Sequence, residues 1–166
     1  ATAIVHWCAI PVFADIEEET FNLDPESVKN NITQYTKAIM VPDIFGHPAN
    51  IREIKRIADE HNLIVISDTA QAPAAKEYNS YAGTDAHIGG FSFNYHKHIQ
   101  TGEGGVLITN DPIYAERMQL IRNHGEAVVE GKGVKDISNM IGYNFRMGEI
   151  EAAIGIEQLK KLDYLV

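Results

Sequence analysis

The run Leu63 to Ile66 reads Leu-Ile-Val-Ile, with no polar residue interrupting it. A strand with one face in water alternates polar and apolar residues, whereas a strand apolar on both faces must be covered on both. This segment therefore predicts a central strand in a layered fold rather than an open antiparallel sheet. Other short apolar runs share the pattern: Lys37 to Val41, Ile88 to Phe93 and Val106 to Thr109, with Ile10 to Phe13 a further predicted strand. Helix signals stand between them. Asp24-Pro25-Glu26 supplies a cap, a first-turn proline and an acid that complements the helix dipole. Asn50 with Glu53 three residues on is a variant of the capping box, and Ile51, Ile54, Ile57 and Ala58 follow at helical spacing up to His61-Asn62. Asp111-Pro112 opens another helix that runs to about Asn123 and stops at Gly125. Gly148 to Leu162 is apolar on two faces, which predicts a helix buried on both. The β-α-β-α alternation implies an α/β layer fold with a largely parallel sheet, and in such folds ligands sit beyond the carboxyl ends of the strands.

At 166 residues, 45% of them hydrophobic and 22% charged, the chain has the size and usage of one globular domain. Fourteen basic against 23 acidic residues give a net charge of −9, which disfavours nucleic acid as a partner. No apolar run has the length of a membrane-spanning helix. The single cysteine, Cys8, cannot form an internal disulfide; a reducing, cytoplasmic compartment is the simpler reading, and Cys8 beside Trp7 reads as a small buried hydrophobe. Glu126 to Ser138 is polar and contains glycine, which predicts an exposed excursion.

The residues just past the strands carry the chemistry. Asp68 ends the Leu63 strand in Ile-Ser-Asp-Thr-Ala-Gln. By itself it is read either as a cap for the turn Thr69 to Ala72 or as a carboxylate aimed at a protonated ring nitrogen of a bound cofactor. The segment Gly89-Gly90-Phe91-Ser92-Phe93-Asn94-Tyr95-His96-Lys97-His98 delivers Ser92, Asn94 and Lys97 into one loop. The turn Thr101-Gly102-Glu103-Gly104-Gly105 follows, where glycines permit close backbone approach. A loop lysine taken alone is a solvated charge. Between aromatic residues and a glycine turn, Lys97 is also a candidate nucleophile towards a carbonyl. His96 and His98 lack the companion ligands and spacing of a zinc site, and no metal is expected. The glycine turn has neither the Walker nor the Rossmann spacing.

Five ordered motifs then resemble the DegT/DnrJ/StrS aminotransferases, pyridoxal-phosphate (PLP) enzymes of fold type I that aminate nucleotide-linked ketosugars. They are Ser-Asp-Thr-Ala-Gln-Ala (67 to 72), Phe-Ser-Phe-Asn-Tyr-His-Lys (91 to 97), Thr-Gly-Glu-Gly-Gly (101 to 105), Arg-Asn-His-Gly (122 to 125) and Gly-Tyr-Asn-Phe-Arg-Met (142 to 147). Ala9 to Asp15 and the Phe45-Gly46-His47-Pro48 turn belong to the same likeness. The resemblance implies a three-layer sandwich of the aspartate aminotransferase type. It further implies that residues 1–166 are the central and C-terminal part of the PLP-binding large domain, incomplete at both ends and without the small C-terminal domain.

It also implies roles. Lys97 matches the lysine that holds PLP through a Schiff base and then moves the proton. Asp68 matches the carboxylate paired with the pyridine nitrogen, which keeps the ring an electron sink. Gln71 matches the side chain beside the ring hydroxyl, and Ser92 a phosphate ligand. Asn144 matches an asparagine reaching the cofactor of a neighbouring subunit, which implies a homodimer with shared active sites. Family members often carry His where Asn94 stands and Glu where Ser67 stands; neither departure removes a group the chemistry needs. The implied reaction takes an amino group from an amino acid, commonly glutamate, to a nucleotide-linked ketosugar, for surface polysaccharide or amino-sugar biosynthesis. A sugar 3-dehydratase of the same family has histidine in place of the lysine, so Lys97 favours transamination. Two alternatives stand beside it: a PLP-dependent dehydratase or amino-acid aminotransferase of the same fold, and a non-catalytic relic of the fold.

Overall fold

Local capping sets the start of three of the helices. In a computed structural model, which describes residues 1–126 and 140–166, the Asp24 side chain accepts from the Glu26 and Ser27 N–H groups and starts α2 (Pro25–Asn30). A shorter helix, α1 (Thr2–His6), precedes it. Asn50 accepts from Glu53 N to open α3 (Ile51–Glu60), and Asn62 turns left-handed at φ 54° to end it. Asp111 accepts from Ile113 N and Tyr114 N at the start of α4 (Pro112–Arg122), whose end Gly125 closes by donating its N–H to Leu120 O. Such side-chain caps satisfy backbone donors that a helix cannot pair internally.

The main sheet runs in the order β1 (Ala38–Pro42), β2 (Ile64–Asp68), β5 (Ile88–Ser92), β6 (Gly105–Ile108). The first three strands are parallel and β6 is antiparallel to β5. A two-stranded hairpin, β3 (Lys76–Glu77) with β4 (Ser80–Tyr81), stands apart. The register places Pro42 beside Asp68 and Asp68 beside Gly90, so β1 and β2 end together while β5 runs two residues further, to Ser92.

The core lies between this sheet and the first helical layer. Ile39 and Val41 of β1 and Val65 of β2 meet Val28 of α2 and Ile54 and Ala58 of α3. Ile54, Ala58, Val41 and Val65 are wholly buried, each of the large ones contributing about 1.5–3 kcal/mol by leaving water. This is the helical stripe expected from the sequence. β2 is less symmetric than its composition suggests: Val65 and Ser67 are buried, whereas Ile64 and Ile66 on the other face are half-buried.

Three expectations are corrected. Ile10 to Phe13 is not a strand; the segment is irregular and Ile10, Val12 and Phe13 are strongly exposed. Pro11 removes a ladder donor, and no strand among the described residues pairs with it. Helix α5 (Glu149–Leu159) forms where expected but buries none of its residues, with Ile150, Ile154, Ile156 and Leu159 all exposed. Its apolar pattern reports a demand for cover that the described residues do not meet. The helix does come close to the glycine turn at Gly155, where an added Cβ would lie 3.2 Å from Thr101 Cγ2. Cys8 is exposed rather than buried, because it closes α1 in a left-handed turn with its N–H on Val5 O. A final short helix, α6 (Leu162–Leu165), follows α5. The predicted excursion of Glu126 to Ser138 lies, from residue 127 onward, outside the described residues.

Candidate active site

Past the ends of β1 and β2 the chain builds a buried polar frame. Asp43, only 3% exposed, accepts from Ala49 N at 2.9 Å, Ser67 Oγ at 2.9 Å and Thr69 Oγ1 at 2.8 Å. Ser67 Oγ and Thr69 Oγ1 lie 3.0 Å apart. Asp43 N donates to Asp68 O at 3.0 Å, and Thr69 N to Gly90 O at 2.8 Å. The residues on either side of Asp68 are thereby clamped inward, and Asp68 itself is left exposed at the strand end. Its carboxylate accepts from Ala70 N at 3.2 Å, so the reading of Asp68 as a cap for the turn Thr69 to Ala72 has a real but small basis. Ser67 serves this frame as a hydroxyl.

A second buried residue, Asn22, holds the turn after β1. Its Oδ1 accepts from Ile44 N at 2.9 Å, and its Nδ2 donates to His47 O at 3.1 Å and Pro48 O at 3.3 Å. This fixes Phe45 and Gly46, both with positive φ. Phe45 N in turn donates to Gln71 Oε1 at 3.2 Å. With its oxygen so engaged, Gln71 keeps its NH2 end as a donor.

Lys97 sits in the connection between β5 and β6, half-buried, with its N–H on Asn94 O at 2.9 Å. A cleft of about 660 Å³ is lined by Lys97, Gln71, Phe45, Gly46 and the Ala72–Ala75 turn. Sequence-distant Gln71 and Lys97 therefore share one cavity. Asp68 and Ser92 do not line it; they end the paired neighbours β2 and β5. Ser92 Oγ accepts from Asn94 N at 3.2 Å. Asn144 stands apart: exposed, it bridges to Asn123 where residues 143–145 bond back onto the end of α4. A larger opening of about 750 Å³, flanked by Arg52, Lys55, Asp85 and His87, holds none of the candidate residues.

The other histidines have local duties. His87 Nδ1 lies 3.0 Å from Val65 N as its acceptor, and the His96 ring lies against Tyr95 at 3.7 Å. The sequence reading missed Asp43, Asn22 and Glu103, whose carboxylate receives the Asn94 amide. Asp43 had a usable signal: an acid directly after an apolar strand, seven residues before the helix cap Asn50.

A largely parallel sheet with a lysine, a carboxylate, an amide and a hydroxyl at or just past its strand ends defines an α/β domain with its chemically capable groups on that edge. Its residues 1–166 match the DegT/DnrJ/EryC1/StrS aminotransferase family from end to end, and the chain belongs to that family. It is 39% identical over 97% of its length to GDP-perosamine synthase of Escherichia coli O157:H7, covering 43% of that protein. Among solved structures it resembles Helicobacter pylori PseC, an aminotransferase involved in the biosynthesis of pseudoaminic acid, at TM-score 0.87 and 35% identity over 99% of this chain and 43% of that one. It also resembles a GDP-4-keto-6-deoxymannose-3-dehydratase with a trapped PLP–glutamate geminal diamine, at TM-score 0.80 and 37% identity over 91% of this chain and 42% of that one. The chain thus spans 43–44% of the length of the curated relatives first matched.

Proposed function

We propose that this chain is the central and C-terminal part of the large domain of a PLP-dependent aminotransferase that moves an amino group from an amino acid, glutamate, to a nucleotide-linked ketosugar for surface polysaccharide or amino-sugar biosynthesis. The observation that carries the reading is the shared cleft of Lys97 and Gln71 beside the strand ends that bear Asp68 and Ser92. The donor set fits PLP: an amine for its aldehyde, a carboxylate for its ring nitrogen, an amide NH2 for its ring hydroxyl and a hydroxyl for its phosphate. The dehydratase's trapped PLP–glutamate adduct supports both the cofactor and the donor.

When bound, PLP supplies an electron sink for the bond-making carbon. Lys97 Nζ takes the proton from the substrate carbon and later gives it up again, its loop being tied at the root by backbone bonds. Asp68, exposed at the end of β2, keeps a proton on the ring nitrogen by offering it a carboxylate acceptor. Gln71, its oxygen held by Phe45 N–H, donates through Nε2. Asn144 reaches the cofactor of a second subunit in a homodimer, consistent with its exposure away from this cleft. A reducing, cytoplasmic setting suits the exposed thiol of Cys8. Among the described residues no helix is long and apolar enough to cross a membrane.

The test is optical. The full-length protein loaded with PLP is expected to show a visible absorbance band that glutamate converts, and Lys97→Ala to show neither band nor turnover. A glutamate-responsive band that survives in Lys97→Ala refutes the assignment. The dehydratase reading has support in the likeness to the 3-dehydratase; release of a deoxygenated sugar without net amination would favour it.

A further inference from the structure

Lys97 hangs on a twelve-residue connection, 93–104, between β5 and β6, and a connection of that length does not by itself fix an amine. Backbone bonds hold its root: Phe93 N donates to Gly104 O and Thr101 N to Phe93 O, each at 2.9 Å. Nearer Lys97 the holding is done by one residue, Asn94, through its side chain and its backbone carbonyl. Asn94 Nδ2 donates to both oxygens of Glu103, at 2.9 and 3.0 Å. Asn94 Oδ1 accepts from His96 N at 3.2 Å, and Asn94 O from Lys97 N at 2.9 Å. The amide orientation follows from chemistry, since a carboxylate only accepts and a backbone N–H only donates. Glu103 is itself anchored, its carbonyl receiving Thr101 Oγ1 at 2.8 Å. The next residue, Gly104, has φ 156°, and a Cβ there would fall 2.6 Å from Thr101 Oγ1. The turn that presents Glu103 is therefore tightly determined.

We propose that Asn94 and Glu103 act as a pair of positioning residues for Lys97, their amide–carboxylate contact closing the lysine limb onto the glycine turn so that the amine is held at the cleft. Neither residue lines that cleft, so they act through Lys97. The inference rests on the reading of Lys97 as the residue that carries the cofactor. Its importance follows from geometry, since misplacing a reacting group by about 1 Å costs about a hundredfold in rate.

The contact can be inverted without changing its shape. Asn94→Asp retains an oxygen for His96 N–H but sets two carboxylates against each other. Adding Glu103→Gln restores an amide–carboxylate bond with the polarity exchanged. The assay uses the full-length apo-protein: the rate at which Lys97 is reductively methylated by formaldehyde and a hydride donor, read by peptide mass as a function of pH. The same variants are then scored for the rate of PLP attachment. Asn94→Asp is expected to change both rates by about tenfold, the size of a lost charge-assisted hydrogen bond. The Asn94→Asp/Glu103→Gln pair should return both to within about twofold of wild type. Should Asn94→Asp fail to fold, Glu103→Ala at the exposed end of the pair reads the same contact and should move the rates in the same direction. Wild-type rates in Asn94→Asp and Glu103→Ala, or a double variant no better than Asn94→Asp, overturn the proposal. A wild-type protein that attaches no PLP at Lys97 would instead defeat the functional reading, while the methylation rates still decide the contact.

Discussion

Replacing Asp43 by alanine should be among the most damaging single changes near the strand ends, and the structure gives the size. The carboxylate accepts three bonds at 2.8–2.9 Å while nine-tenths or more buried. Alanine leaves the Ala49 N–H without its acceptor. Of the two hydroxyl protons, one can be redirected, because Ser67 Oγ and Thr69 Oγ1 lie 3.0 Å apart. Two buried donors are thus orphaned, at about 1–3 kcal/mol each, giving a loss of about 3–7 kcal/mol with the cavity included. Asparagine is gentler. Its oxygen can serve Ala49 N–H while its NH2 faces hydroxyls that rotate to accept, so the loss falls to about 1–2 kcal/mol. Urea unfolding of the full-length protein, followed by circular dichroism, measures both. An Asp43→Ala variant within about 1 kcal/mol of wild type, or an Asp43→Asn variant equal to it, would show that this carboxylate does not hold the frame.

Two further outcomes are expected. Burial holds the Glu77 carboxyl above its usual range, and its Oε2 has no hydrogen-bond partner among the described residues; the folded state binds that proton more tightly than the unfolded one, so stability is gained as pH falls through the raised value towards the ordinary range. Glu77→Gln should accordingly raise the urea midpoint at neutral pH and lose its advantage at about pH 4, and an advantage unchanged at the lower pH would contradict this. Gly104→Ala forces a side chain onto φ 156° and into Thr101 Oγ1, which should cost about 1–3 kcal/mol and weaken PLP binding; unchanged melting and affinity would show that the turn is not constrained.

What was legible in the sequence was what is decided locally. Asp24, Asn50 and Asp111 each cap a helix within three residues of themselves, and each was readable without a partner from elsewhere. The stripe Ile54, Ile57, Ala58 was readable for the same reason, since one face of one helix had to be buried. Ile10 to Phe13 failed because a strand exists only through its neighbour, and apolar content without a ladder yields irregular chain. Helix α5 failed in burial, not in form, because burial belongs to whatever packs on the helix. Asp43 escaped notice because its hydroxyl partners lie 24 and 26 residues away. At the candidate site, Lys97 and Gln71 were legible through ordered motifs, and the shared cleft supplies a spatial reason for motifs so far apart in the chain. Glu103 was visible only as part of a glycine turn, since its use depends on the Asn94 amide across the loop.

Every role proposed at this site depends on Lys97 carrying the cofactor. Reducing the PLP-loaded full-length protein with borohydride and mapping its peptides by mass addresses that point without relay. One pyridoxyl group is expected, on the peptide containing Lys97. A label on any other lysine, or a stoichiometric visible band that leaves Lys97 unlabelled, would contradict it.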